Sequence, residues 1–298
     1  MENVKLCEKV ELTRVVAGCM RANDAGVSGD AFLRFVHKCI DMGVNCFDHA
    51  PVYGGYTCEK LFGDGVLRKE PALRKKIRLI TKAGIVLPGV CGNKHIYYDS
   101  RKKSLLKEID SSLQKLGTDY VDVLLIHRPD LLTDPHETAE ALETIVKSGK
   151  ALSIGVSNYE PSQLSALQSC LSVPLVTNQL EFSVKSPDNF LNGSSDYAFQ
   201  NGMSLMAWSP LGGGSVFKGQ DEKSLRLRTV LQEIAQAHGT TVDAVMYAWL
   251  FVHPIRLIVV TGTMNVSRIK TAVDAMNLSL SYDEWYAILA ASRGYDVP

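Results

Sequence analysis

The chain alternates eight short apolar runs with stretches of helical periodicity, and this alternation narrows its possible folds more than any other feature. The runs are Val10 to Ala17, Val44 to Phe47, Ile77 to Thr81, Val121 to Ile126, Leu152 to Val156, Leu175 to Gln179, Ser204 to Trp208 and Leu257 to Val260. Between them, apolar residues recur at helical spacing, as in Phe32, Phe35, Val36, Cys39 and Ile40, or Leu105, Ile109, Leu113 and Leu116. The connections are too long for hairpins, so successive strands should lie parallel, each followed by its crossover helix. Eight such units in 298 residues predict an α/β fold, a (β/α)8 TIM barrel, forming a single domain over residues 1–298. A doubly wound open sheet is the main competitor. It is disfavoured because no G-x-G-x-x-G opens an early helix.

Turn and cap residues fit this reading. Asp30 is expected to cap the first helix and Gly43 to stop it. A helix from Thr57 to about Lys69 is weakened by Gly63 and Gly65. Gly117 should end the helix that starts at Ser100. Asp134-Pro135-His136-Glu137 reads as a cap acid, a first-turn proline and a glutamate three residues past the cap. Two segments read as loops, Gly84 to Asp99 and the Gly/Ser/Asn-rich Ser186 to Asn201.

Charge and cysteine content exclude several classes of function. Lys plus Arg equal Asp plus Glu at 32 each, so no global field favours nucleic acid or an anionic membrane. No apolar run approaches the roughly 18 residues of a spanning helix, and the start Met-Glu-Asn-Val-Lys is polar. The seven cysteines (7, 19, 39, 46, 58, 91, 170) form no C-x-x-C pair and read as reduced core residues. The expectation is a soluble cytoplasmic protein.

Three runs deliver an ionisable group at or near their C-terminal ends. Asp48 closes Val44 to Phe47, and Tyr53 follows on a turn forced by Pro51 and Gly54-Gly55. Lys82 closes Ile77 to Thr81, and His127 closes Val121 to Ile126. In a parallel barrel that edge is where catalytic groups gather. Taken singly, each is equally well a turn residue or a solvated side chain.

The stretches FDHAPVYGGYTCEKLFG, TKAG, SLLKEIDSSLQKLGTDYVDVLLIHRPD, GKALSIGVSN, TNQLEF and AWSPLGGG resemble the aldo-keto reductases, in that family's order, from about residue 12 to 277. The closing Gly294-Tyr295-Asp296-Val297-Pro298 is similar to a bacterial subgroup whose substrates are poorly defined. The resemblance implies a catalytic tetrad of Asp48, Tyr53, Lys82 and His127. Carbonyl reduction needs a hydride on carbon and a proton on oxygen. A free phenol of pKa about 10 is a reluctant acid at neutral pH. A neighbouring ammonium is expected to lower that value, with Asp48 holding Lys82 and His127 orienting the carbonyl. None of this chemistry requires a metal.

The resemblance also implies an NADP(H) site. Ser157, Asn158 and Gln179 are expected to meet the nicotinamide carboxamide, and Trp208 stands where the family often stacks a tyrosine. Met20 and Arg21, after the first strand, are placed on the cofactor as well. The loop Ser209-Pro210-Leu211-Gly212-Gly213 resembles the family's cover over the pyrophosphate. Gly262, Thr263, Asn265 and Arg268 resemble the site for the 2′-phosphate and adenine. There the sequence departs from the family, since Gly262 replaces a lysine that many members use, and Thr271-Ala272 replaces a Glu-Asn pair. Arg268 is therefore expected to carry most of the NADP preference.

The implied activity is NADPH-dependent reduction of aldehydes and ketones, with Tyr53 as general acid and a small-molecule carbonyl as substrate. A cofactor-binding regulatory subunit on the same fold is the alternative. A Schiff-base lyase using Lys82 is a further rival that leaves Asp48 and Tyr53 unexplained. The loops Gly84 to Asp99 and Leu211 to Asp221 and the C-terminal tail are expected to set the substrate. Oligomeric state cannot be read from the sequence.

Overall fold

A computed structural model describes residues 1–296; Val297, Pro298 and the side chain of Cys91 lie outside the described residues, together with what the sequence suggested for them. Eight strands close a barrel: β1 (Val15–Gly18), β2 (Cys46–Asp48), β3 (Arg78–Ala83), β4 (Val121–Ile126), β5 (Ala151–Ser157), β6 (Leu175–Glu181), β7 (Ser204–Trp208) and β8 (Ile258–Thr261). Each strand pairs in parallel with the next, and β8 returns to β1 through Thr261 opposite Ala17. All eight begin at one end of the barrel, so their C-terminal residues share one rim.

Two apolar clusters hold the barrel. Alternate strand residues fill its interior, among them Val16, Ile80, Val123, Leu125, Met206 and Ile258. The outward-facing set, including Phe47, Leu79, Leu124 and Ile154, packs against the surrounding helices. Strands buried on both faces read as near-continuous apolar runs, which is why they were legible.

Several local expectations are revised. The run Val10 to Ala17 is two strands. Glu11–Thr13 pairs antiparallel with Asn3–Lys5 in a hairpin that closes the barrel floor, and only Val15–Gly18 enters the barrel. Arg14 is the switch point: its N–H donates to Glu2 O in the hairpin (3.0 Å), and its carbonyl accepts from Val259 N in the barrel (2.7 Å). Ser28, rather than Asp30, precedes the helix Gly29–Asp41.

The segment from Thr57 divides into an α-helix, Cys58–Phe62, and a π-helical turn, Gly63–Leu67. A Cβ on Gly63 would fall 2.0 Å from Lys115 O, so this glycine serves close packing of two helices. Asp134 caps Pro135–Lys147 as expected, but Glu137 turns to Lys102 N (2.9 Å) and leaves the reciprocal cap bond unmade. The loop Gly84 to Asp99 holds a small hairpin, Ile85–Val86 with Tyr97–Tyr98, and Ser186 to Asn201 holds the helix Ser194–Gln200. Both elements are too short to produce a periodic signal. Among the described residues no helix is long and apolar enough to cross a membrane.

Candidate active site

Register brings the tetrad residues together on the C-terminal rim. Asp48 lies opposite Ile80, and Lys82, two residues further along β3, points inward on the same face. Both side chains are buried. Lys82 Nζ donates to Asp48 Oδ1 (2.6 Å), His49 O (3.0 Å) and Tyr53 OH (2.9 Å), which engages all three of its N–H bonds. The turn after β2 returns Tyr53 to this ammonium through left-handed backbone at Gly54, Gly55 and Tyr56. His127 follows β4, anchored by its N–H to Ala83 O (2.8 Å), and its ring meets the Tyr53 ring edge-on at 6.0 Å.

Burial shapes the charges here. It lowers the Lys82 pKa, and Asp48 offsets part of that loss. Tyr53 departs from the expectation. Burial, then the Asp48 carboxylate, hold the phenol well above its ordinary value. The phenol is thus kept protonated. Burial, reinforced by Lys82 and Arg128, pushes His127 down to about 2, so its imidazole is neutral.

These groups stand at the floor of a cavity of about 680 Å³. Asp48, Tyr53 and His127 line it directly, and Lys82 reaches them from behind. Ser157, Asn158, Gln179 and Trp208 form one side and are already bonded to one another or to the strand ends. Ser157 Oγ donates to Gln179 O (2.7 Å), Asn158 Nδ2 donates to His127 O (3.1 Å), and Trp208 Nε1 donates to Asn158 Oδ1 (3.0 Å). Gln179 Nε2 donates to Asp48 Oδ2 (2.9 Å), which leaves the Gln179 carbonyl oxygen as an acceptor toward the cavity.

Ser209, Pro210, Leu211 and Gly213 cover the cavity, and Met20, Arg21, Gly262, Thr263 and Arg268 line its far end. Gly212 and Asn265 are not on the wall. Gly212 N–H closes a turn on Ser209 O (2.7 Å), and Asn265 Oδ1 caps the helix Val266–Asp274 by accepting from Ser267 N (2.9 Å).

The far end is cationic. Arg21 Nη1 donates to Gly262 O (2.9 Å), and a Cβ on residue 262 would sit 2.8 Å from that nitrogen. The missing side chain at 262 therefore makes room for a guanidinium from the loop after β1. Among the described residues neither Arg21 nor Arg268 has a carboxylate partner within salt-bridge distance.

The sequence reading missed Arg128, Asp243 and Tyr247 on the wall, where Phe217 and Lys218 of the expected substrate loop Leu211 to Asp221 also lie. Asp243 and Tyr247 are four apart on the helix Val242–Phe251, a spacing that puts both on one face, but in so apolar a helix the pair carries no signal of a site. Arg128 directly follows His127, and its guanidinium lies 5.9 Å from the Trp208 ring centre.

Comparison with known proteins shows the family and the fold. The model described as "Aldo/keto reductase family" matches residues 14–293. The "Uncharacterized oxidoreductase YcsN" of Bacillus subtilis is 42% identical, with 100% of each chain covered. A "6-dehydroglucose reductase" of Agrobacterium fabrum is 40% identical, also over 100% of each. The solved glycerol dehydrogenase AKR11B4 of Gluconobacter oxydans shares the fold, with a TM-score of 0.84 at 23% identity over 99% of this chain and 97% of that one.

Proposed function

The chain belongs to the aldo/keto reductase family and is an NAD(P)H-dependent oxidoreductase; from that premise we propose that it reduces aldehyde and ketone carbonyls with NADPH, Tyr53 giving the proton. The observation that carries this reading is the Lys82 ammonium 2.9 Å from the Tyr53 hydroxyl at the floor of the cavity.

The residues present fit a nicotinamide cofactor. The free oxygen of Gln179 suits a carboxamide N–H₂, and the flat Trp208 ring suits stacking. At the other end, Arg21 and Arg268 offer two guanidinium groups to phosphate, a geometry suited to bidentate contact. The cationic end supports NADPH over NADH, with Arg21 taking the place of a side chain at 262. When bound, the cofactor supplies the hydride.

The protein's own groups handle the proton. Tyr53 enters protonated, as its burial requires. Neutral His127, beside Tyr53 on the cavity lining, can donate a ring N–H to the substrate oxygen and fix the angle of approach. As negative charge develops on that oxygen, Tyr53 passes its proton over, and Lys82 stabilises the resulting phenolate. Asp48 keeps Lys82 charged and aimed.

The names of two relatives, both 6-dehydroglucose reductases, point toward hydroxylated carbonyls such as sugar aldehydes. The six described cysteines are free thiols, which supports a reducing cytoplasm. A panel of aldehydes and keto sugars, assayed for NADPH and NADH oxidation, tests the proposal. Turnover with NADPH is expected. Tight cofactor binding with no turnover across the panel would favour the regulatory-subunit alternative.

A further inference from the structure

The proton pathway leaves unused two carboxylates packed behind the strand that carries Lys82. Glu59, on the helix Cys58–Phe62, is fully buried, and Glu108, on the helix Lys102–Leu116, is half-buried. Glu59 Oε1 accepts from the Thr81 hydroxyl at 2.6 Å. Glu108 Oε2 accepts from Gly84 N–H at 2.7 Å. Thr81 precedes Lys82 and Gly84 follows it by two residues, so the two bonds bracket the lysine.

Alternation along β3 explains what the bracket does. Thr81 faces outward to the helices and Lys82 faces into the barrel. A hold on Thr81 therefore fixes the direction in which Lys82 leaves the strand. Beyond it, Gly84 bends the chain through φ 103°, backbone that glycine tolerates and side chains avoid. Glu108 secures the amide of that bend.

The two acids also share an electrostatic setting. Glu59 faces the Lys82 and Lys115 ammonium groups and the Thr81 and Ser112 hydroxyls. Glu108 faces Gly84 N–H, Glu59, Lys115 and Asp99. Among the described residues no donor completes a bond to Glu59 Oε2, though the Ser112 hydroxyl comes near. Burial first holds both acids above the usual carboxylate range, Glu108 at about 7. The Glu59 charge in turn favours the ammonium form of Lys82.

We propose that Glu59 and Glu108 are positioning residues for Lys82, gripping its strand from two helices, with Glu59 also keeping negative charge behind the ammonium. This rests on Lys82 and Tyr53 being the proton-delivery pair.

Glutamine variants separate charge from geometry, since the amide oxygen still accepts from Thr81 or Gly84. In E59Q the alkaline limb of the kcat–pH profile should move to lower pH, with NADPH affinity unchanged by fluorescence titration. E59A, which also loses the grip, should drop kcat by up to about a hundredfold. Should E59Q fail to fold, E108A carries the test, because Glu108 is half-buried and its loss frees Gly84 N–H: kcat should fall with NADPH affinity unchanged. An unmoved limb in folded E59Q, or in the alanine variants a wild-type kcat or a loss of kcat matched by equal loss of NADPH affinity, would overturn the proposal. Wild-type turnover by Tyr53→Phe would instead overturn the proton-donor reading, and with it any need for the grip.

Discussion

Gln179 Nε2 donates to Asp48 Oδ2 at 2.9 Å across the barrel mouth, so one residue of the cavity wall holds the acid that faces Lys82 and Tyr53. With one Asp48 oxygen committed to Gln179, the other faces Lys82 at 2.6 Å. Gln179→Leu would leave a buried carboxylate oxygen without a donor, a loss of about 1–3 kcal/mol. The expected outcome is a fall in kcat together with weaker NADPH binding, read from steady-state kinetics and a fluorescence titration. A change in binding alone would show that Asp48 does not depend on Gln179.

Cofactor choice should rest on two arginines. Arg21 and Arg268 each stand to lose a charge-assisted phosphate contact worth about 1.5–3 kcal/mol, or roughly tenfold to a hundredfold in affinity. Arg21→Ala and Arg268→Ala should each weaken NADPH by about that factor and leave NADH nearly unchanged. In Arg21→Ala, the added change Gly262→Lys should recover NADPH affinity, because the space held by Arg21 Nη1 has been vacated. Equal losses for both cofactors would place neither arginine on the 2′-phosphate.

His49 gives the fold a pH dependence. It is fully buried against Phe62, neither ring nitrogen has a partner among the described residues, and burial lowers its pKa to about 3 from an ordinary 6.5. The folded protein therefore binds fewer protons than the unfolded chain between those values. The stability linked to His49 is present above pH 6.5 and is lost as pH falls toward 3. His49→Phe should flatten the decline in Tm as pH is lowered from neutral toward 5. An unchanged slope would assign that decline to other groups.

Gly63→Ala tests the close approach of the helix Lys102–Leu116. The added methyl would lie 2.0 Å from Lys115 O, and overpacking of this kind costs typically about 1–3 kcal/mol. The urea midpoint should fall by a matching amount. A neutral result would mean that the π-helical turn relaxes freely.

The barrel was legible because its strands are buried on both faces and its helices carry one apolar stripe each. What escaped had no such signal. The floor hairpin hides inside one apolar run because Arg14 switches partners without a break in hydrophobicity. The Tyr97–Tyr98 hairpin is two residues wide. Asp48, Lys82 and His127 were found because strand ends are easy to locate, and Tyr53 because a turn returns it to them. Arg21 over Gly262 was not readable as a pair, since 241 positions separate them and only closure of the barrel joins β8 to β1. The raised phenol pKa of Tyr53 likewise depends on burial and on the nearness of the Asp48 carboxylate, neither of which a sequence displays.

The central claim is that Tyr53 gives the proton, and the Tyr53→Phe variant tests it most directly. Removing the hydroxyl keeps the ring beside His127 and removes the acid, a loss of about 10²–10⁴-fold in rate for general acid catalysis. Single-turnover reduction of an aldehyde by bound NADPH should slow by about that range, with NADPH affinity near that of the wild type. Reduction at the wild-type rate would contradict the account, and another group in the cavity would then have to supply the proton.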